Sequence, residues 1–321
     1  MILYLTDALV RELITVDECN KVIEELFVQE AAGKVENRPT VELSLPKGVF
    51  RIKAGTALHL NCFGYKAYPF GGRYMVYVYD LDTGLDGVVE ARGLTEARTG
   101  AVTAIGTKYM ARPDATTAGM IGTGREARAQ LTYIASVRPL TKVWCYSRDA
   151  EHRREYAADM SQRLGIEVIA AESGREAVQD ADIVTTITNA SQPVLLGEWL
   201  REGTHINGVG ATSMSRRELD EHAVAKCGTV IVEHLPQASA ELGELHYAAN
   251  LGMFDWSKVR EMKDVVSGTV KGRNSASEIT LFDTIGVGAE DVAMAAYFLK
   301  KARAMGVGQE MPFEPPYVQM R

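Results

Sequence analysis

The chain has 321 residues, 46% of them hydrophobic and 24% charged, a composition typical of a globular chain in water. Its formal net charge is -7 and it has no long Lys/Arg block, which argues against nucleic acid or an anionic membrane as a partner. Its 4 cysteines lie far apart without a CxxC, and its 6 histidines show no HxxxH or HExxH spacing. Reduced core thiols and no metal site are therefore expected.

The N-terminal run "MILYLTDALVREL" acquires Asp7 and Arg11 too early for a secretory signal, so a cytoplasmic protein is expected. "LVRELITVDECNKVIEELFVQEAAGK" reads as two amphipathic helices separated by Thr15-Val16-Asp17. Period-two runs follow, "PTVELSL", "GVFRIKAG", "GYKAYPF", "RYMVYVYDLDTG" and "LDGVVEAR", punctuated by Gly and Asp as in antiparallel hairpins. The alternating tyrosines of "YMVYVYD" suit one face of a sheet or a dimer seam. The segment "TEARTGAVTAIGTKYM" is then a helix, with Thr95 expected as its N-cap.

From Thr117 the rhythm changes. "AGMIG", "KVWCYS", "IEVIA", "DIVTTIT", "THINGVG" and "GTVIVE" are strand candidates, separated by helical stretches such as "REARAQLTYIASV" and "DAEHRREYAADMSQRL". This repeated βαβ pattern predicts an α/β fold, a doubly wound parallel sheet of Rossmann type covered by helices on both faces. The longest uncharged stretch, Ile183 to Gly197, is too short to span a bilayer. His205 lies in an apolar strand and reads as a core histidine, and "HRREYAADMSQR" as a solvated helix face. "GAEDVAMAAYFLKKARAMG" is a long amphipathic helix, and the tail "MPFEPPYVQMR" an extended arm. The expected organisation is a smaller α+β substrate-binding and dimerisation domain over 1–116, completed by the C-terminal helix 289–321, and a dinucleotide-binding domain over 117–288.

The turn "GMIGTGREARAQL" carries the chemistry. Gly122-x-Gly124-x-x-Ala127 fits the dinucleotide fingerprint: the first glycine permits the turn, the second lets a pyrophosphate approach, and the small third residue packs helix on strand. Thr123, Arg125 and Glu126 complete the loop at a helix N-terminus whose amides favour phosphate. The next strand ends in Ser147-Arg148, which favours the 2′-phosphate of NADP(H); NAD(H) remains possible, because Asp149 lies one residue beyond.

"LTEARTGAVTAIGTKYM", "LLGEWLREGTHINGVGATSMSRRELD" and "ITLFDTIGVGAEDVA" together resemble the ornithine cyclodeaminase/mu-crystallin family over nearly the whole chain. The resemblance implies a homodimer. It places Lys66, in "GYKAYPF", as the active-site lysine, with Arg98 of "EARTGAV" and Arg38 of "ENRPTVEL" holding a substrate carboxylate. It also sets Thr186, Thr188, Val209, Gly210 and Ile285 among the cofactor contacts. A guanidinium clamps a carboxylate through two parallel bonds, and a desolvated lysine beside it exchanges protons.

Two departures bear on the reaction. Where cyclodeaminases carry an aspartate, this chain has Thr212, and a hydroxyl does not replace a carboxylate as base. "RIKAG" brings Arg51 and Lys53 to the expected pocket wall, facing either an anion or solvent. The expected function is an NAD(P)H-dependent oxidoreductase acting on a small imine or ketimine of a 2-oxo acid, or in reverse on the amino acid. The alternatives are an ornithine-type cyclodeaminase and a non-catalytic NADPH-dependent binding protein of the mu-crystallin type.

Overall fold

The computed structural model describes residues 2–69 and 71–312, and its chain divides into two units, Met1–Arg98 with Gly286–Arg321, and Thr99–Ile285. The first opens with β1 (Ile2–Leu5), α1 (Asp7–Leu13) and α2 (Val16–Ala31). Strands β2 (Val35–Asn37), β3 (Val41–Leu45), β4 (Gly48–Ala57), β5 (Cys62–Pro69), β6 (Met75–Asp80) and β7 (Gly84–Glu90) follow. The five hairpin runs read from period-two patterning are β3 to β7; β1 and β2 are additional. Helix α3 (Arg92–Met110) begins three residues before Thr95, whose hydroxyl bonds back to the Ala91 carbonyl. Its N-terminus is capped instead by Asp7, whose carboxylate accepts the Gly93 amide at 2.5 Å.

The second unit alternates β8 (Thr117–Ile121), α4 (Arg125–Val137), β9 (Lys142–Tyr146), α5 (Ala150–Leu164), β10 (Glu167–Ala170), α6 (Gly174–Val178), β11 (Ile183–Thr186) and β12 (His205–Gly208). Then come α7 (Glu221–Lys226), β13 (Cys227–Val232), α8 (Leu235–Glu241), α9 (Gly243–Asn250), β14 (Arg260–Glu261), α10 (Met262–Val266) and β15 (Ile279–Asp283). The sheet runs β10-β9-β8-β11-β12-β15-β13-β14, and every pairing is parallel. Alternation along each strand feeds two cores. Met120, Val143 and Ile183 pack with Leu131 and Ile134 of α4 and Met160 of α5. Ile121, Val184 and Ile206 pack with Val224, Ala238 and Leu245 of α7, α8 and α9. The fold is a doubly wound α/β sheet. His205 is a satisfied core histidine: its ring nitrogens meet Thr280 Oγ1 at 2.9 Å and Asn207 Oδ1 at 3.1 Å, and burial pushes its pKa down to about 3.

The chain returns to the first unit through α11 (Gly288–Met305) and β16 (Gln309–Met311). That unit's sheet runs β16-β1-β7-β6-β5-β4-β2, with β3 also on β4; only β1 and β7 pair in parallel. Helix α11 lies against β4, β5, β6 and α2. A side chain on Gly55 would collide with the Ala289 backbone, and one on Gly288 with that of Ala54, so this close approach requires both glycines. The helix expected to reach 321 instead ends at Met305, where Gly306 at φ 68° caps it in a left-handed conformation and the chain turns into β16. The arm expected of the C-terminal tail falls mostly outside the described residues. Among the described residues no helix is long and apolar enough to cross a membrane.

Candidate active site

In the first unit, β4 and β5 pair Arg51 with Tyr68, Lys53 with Lys66 and Gly55 with Gly64. Strand alternation puts these six on the face that α11 covers, and Phe50, Ile52, Ala54, Tyr65 and Ala67 on the other. The helix start is fixed in two ways. Asn37 Oδ1 accepts the Ala289 amide at 2.9 Å, and Glu290 reaches back to accept the Val287 amide at 3.2 Å. Both Glu290 and Asp291, in the first turn, are wholly buried beside the cations of β4, β5 and α3.

Lys66, 2% exposed, donates to Asp291 Oδ1 at 3.0 Å. Arg98, 7% exposed, places Nε 3.2 Å from the same oxygen and Nη1 3.2 Å from Glu290 Oε2. Lys53, 5% exposed, donates to the Gly286 carbonyl at 2.7 Å. Burial pushes the Lys66 ammonium below its ordinary value, with Arg98 and Lys53 adding to that and Asp291 opposing it. Burial would raise the Asp291 carboxyl, but Lys66, Arg98 and Lys53 outweigh it and hold it below the usual range. Tyr68 sits among the same charges: burial raises its phenol, and Lys53, Lys66 and Arg51 together bring it below its ordinary value. The Lys66 ammonium lies 5.2 Å from the Tyr68 ring centre and 5.6 Å from that of Tyr74.

Lys66 and Arg98, singled out from sequence, thus share one carboxylate oxygen. Arg38 stands apart: its side chain is 73% exposed and pairs with Glu36. Arg51 pairs with Glu42 at 2.7 Å, and Lys53, on the same face, is buried. The sequence did not single out Tyr68, Glu290 or Asp291. The period-two phase of "GYKAYPF", which puts Tyr68 on the Lys66 face, was the available signal for the first.

In the second unit, strand order reverses at β8, flanked by β9 and β11. At such a point the carboxyl ends of neighbouring strands diverge and leave a crevice. Gly122, at φ 109°, occupies a conformation side chains avoid, and a Cβ there would strike the Ile187 carbonyl. Gly124 is the N-cap of α4 and makes no side-chain cap, and a Cβ on it would meet nothing within 4 Å. The space beside Gly124 at the head of α4 is open, which suits a phosphate. Ala127 is fully buried and its carbonyl accepts the Tyr156 hydroxyl at 3.0 Å, whereas Arg125 is exposed beside Glu126.

The tip of β9 is polar and organised. Thr123 Oγ1 donates to Ser147 Oγ at 2.8 Å and lies 3.3 Å from His152 Nδ1. Asp149 is the N-cap of α5, accepting the His152 amide at 2.9 Å, so its carboxylate is engaged by that helix. Arg148 is exposed. Arg153, inside the stretch expected to be solvated, is instead buried and donates to the Ser147 carbonyl at 3.2 Å and to Glu172 at 2.5 Å.

Buried carboxylates tie down the loops after β11, β12 and β15. Glu218 accepts the Thr188 amide and hydroxyl at 2.5 and 2.6 Å and the Gly210 amide at 2.6 Å. Glu233 accepts the Ile285 amide at 3.0 Å. The Val209 amide donates to the Thr186 carbonyl at 3.0 Å, and half-buried Thr212 donates its amide to the Gly210 carbonyl at 3.2 Å. Among the described residues no group of three His, Cys, Asp or Glu side chains could hold a metal.

The profile of the ornithine cyclodeaminase/mu-crystallin family matches residues 3–306. The chain belongs to this family. One curated member, a Delta(1)-pyrroline-2-carboxylate reductase from Bacillus cereus, is 36% identical over 241 residues, 74% of each chain. A solved Delta(1)-pyrroline-2-carboxylate reductase from Thermococcus litoralis, in complex with NADH and L-proline, superposes with a TM-score of 0.93 at 31% identity, over 97% of this chain and 100% of that one. An archaeal alanine dehydrogenase dimer with bound NAD gives a TM-score of 0.91 at 30% identity, over 98% and 99% of the two chains. The Rossmann-type architecture of the second unit is shared with both.

Proposed function

We propose that this chain is an NAD(P)H-dependent oxidoreductase acting on C–N bonds, which reduces an imine or ketimine of a 2-oxo acid or, in reverse, oxidises the amino acid. The observation that carries the reading is the buried cluster at the start of α11, where Lys66 and Arg98 share Asp291 Oδ1 with Lys53 buried on the same face. A guanidinium and an ammonium held together away from water suit a substrate carboxylate. Arg98, steered by Glu290 and Asp291, would orient the carboxylate, with exposed Arg38 and with Thr212 as further substrate contacts. Lys66 would exchange the proton of the substrate nitrogen; burial, by lowering its pKa, eases release of that proton.

The residues present fit a dinucleotide. Gly122, Thr123, Gly124, Arg125, Glu126 and Ala127 would hold its pyrophosphate at the start of α4, and Ser147 and Arg148 its adenosine ribose. Thr186, Thr188, Val209, Gly210 and Ile285 would frame the nicotinamide end. The bound cofactor supplies or accepts the hydride. The capping role of Asp149 supports NADP(H), because that carboxylate is held by α5; the NADH and NAD complexes of relatives support NAD(H) equally. The reading includes a cytoplasmic homodimer. Supporting the dimer are the archaeal relative and the face of β4, β5 and β6 turned away from α11. There Tyr65 stacks on Tyr77 at 5.0 Å, and Phe63 on Tyr79 at 5.3 Å.

The test is cofactor oxidation with cyclic ketimine acids of five- and six-membered rings, and with 2-oxo acids plus ammonia or methylamine. Turnover that is lost in Lys66→Ala is expected. A chain that binds NADPH or NADH but turns over none of these would overturn the reading.

A further inference from the structure

At the carboxyl ends of β12, β13 and β15 lie four carboxylates, none more than 1% exposed: Glu218, Glu233, Glu244 and Asp283. Three have clear structural work on one side. Glu218 holds Thr188 and Gly210, Glu233 holds Ile285, and Glu244 Oε2 accepts the amides of Glu218 and Leu219 at 2.7 and 3.3 Å. Asp283 differs. Neither of its oxygens accepts a bond from an amide or hydroxyl among the described residues, and Glu244 Oε1 is likewise without such a donor. These unserved oxygens face one another: a Cβ built on Gly208 would lie 2.7 Å from Asp283 Oδ1 and 3.3 Å from Glu244 Oε1. Among the described residues no Lys or Arg pairs with Glu218, Glu244 or Asp283.

Two carboxylates in contact, away from water and without a cation, cannot both be ionised; they share a proton. The titratable groups around the pair are themselves acidic, Glu218 and Glu233, together with the Cys227 thiol, which burial and Asp283 push up and hold neutral. Burial raises Glu244 above the usual carboxylate range, with Glu218 adding to the shift; burial and Glu244 raise Asp283 well above its ordinary value. The pair adjoins Gly208 and Thr284, next to the residues assigned above to the nicotinamide end of the cofactor. That ring is positively charged when oxidised and neutral when reduced.

We propose that Glu244 and Asp283 form a proton store linked to the cofactor's charge: the pair keeps its proton beside the reduced, neutral ring and releases it when the oxidised, cationic ring binds. The inference rests on the dinucleotide reading of this unit. No bond other than O–H is made or broken. The released proton passes to solvent, and its return accompanies replacement of the oxidised cofactor by the reduced one. The sign follows from linkage: where binding expels a proton, affinity rises with pH until the group is ionised in the free protein.

The experiment measures dissociation constants of NAD+, NADP+, NADH and NADPH across about pH 6 to 9, and the protons exchanged on binding by calorimetry in buffers of different ionisation heat. Expected is an oxidised-cofactor affinity that rises about tenfold over that window with up to one proton released, while reduced-cofactor affinity stays flat. In Asp283→Asn the rise should disappear with reduced-cofactor binding retained. Wild-type proton counts stand by themselves if that variant does not fold. Equal pH dependence for both redox forms, or no proton released with the oxidised one, would overturn the proton store and leave the dinucleotide reading standing. Binding of none of the four would overturn the dinucleotide reading itself.

Discussion

Asp291 Oδ1 receives the Lys66 ammonium at 3.0 Å in a setting where neither side chain exceeds 2% exposure. The same oxygen takes Arg98 Nε at 3.2 Å, so one atom fixes both residues assigned to the substrate. Asp291→Asn keeps the shape and removes the charge, leaving Lys66, Arg98 and Lys53 against Glu290. Loss of about 3 to 5 kcal/mol is expected in urea unfolding, the usual result of stranding a buried charge. The pH dependence follows from the direction of the shift. Since the folded carboxyl lies below its unfolded value, its stabilisation is complete above the unfolded pKa and is lost as pH falls through the folded one. The variant should therefore lose less stability on acidification than the wild type, and an equal loss would contradict this role.

The Lys66 shift has the opposite consequence. Burial depresses the folded ammonium, so between the folded and the unfolded lysine values the unfolded state binds more protons, and stability rises with pH in that window. Lys66→Met removes this cost, yet it should lower kcat by about 100-fold or more. Parallel stability and activity measurements check the claim: a variant that retains activity would end the assignment of Lys66 to proton exchange.

Tyr68 lies across from Arg51 on β4 and beside Lys66, and its phenol is brought below its ordinary value by Lys53, Lys66 and Arg51 acting against burial. An alkaline difference spectrum should show one tyrosine ionising before the others, and that early component should vanish in Tyr68→Phe. An unchanged titration in the variant would place the early phenol elsewhere.

Which parts of this site were legible in the sequence has a physical explanation. The glycine turn was legible because Gly122, Gly124 and Ala127 answer to local constraints, a positive φ and a close approach. The sheet's six first strands were read from their own alternation and flanking helices. Strand β15 was not: "ITLFD" inserts between β12 and β13, a neighbourhood set by long-range pairing. The same holds for Lys53. Period two separates two faces of β4 but does not say which is covered, and the answer comes from α11, some 230 residues on in the chain, seated on Gly55. Thr95 failed as a cap because the helix start is set by Asp7. Glu218, Glu233, Glu244 and Asp283 looked unremarkable singly; only the fold brings them together.

Arg148 tests cofactor choice. It is exposed at the end of β9 beside Ser147, and the neighbouring Asp149 is held by the α5 amide of His152. A charge-assisted contact to a 2′-phosphate is worth about 1.5 to 3 kcal/mol. Arg148→Ala should therefore weaken NADPH by at least about tenfold and leave NADH nearly unchanged, as read from fluorescence titration. Equal weakening of both would place Arg148 outside the 2′ position.

Gly124 separates space needed by the fold from space needed by a ligand. Its φ of -70° and ψ of -172° are open to alanine, and an added Cβ would meet nothing within 4 Å. Gly124→Ala should thus unfold within about 0.5 kcal/mol of the wild type. A methyl group there nevertheless occupies the approach to the first amides of α4, where the pyrophosphate is assigned. Cofactor affinity should fall by at least about tenfold, a loss of about 1.4 kcal/mol. Gly122→Ala should behave differently, because its φ of 109° and the Ile187 carbonyl both oppose a side chain, so stability and affinity fall together. Unfolding curves and cofactor titrations of the two variants, run side by side, check the distinction. Undiminished binding in Gly124→Ala would remove the phosphate from the head of α4.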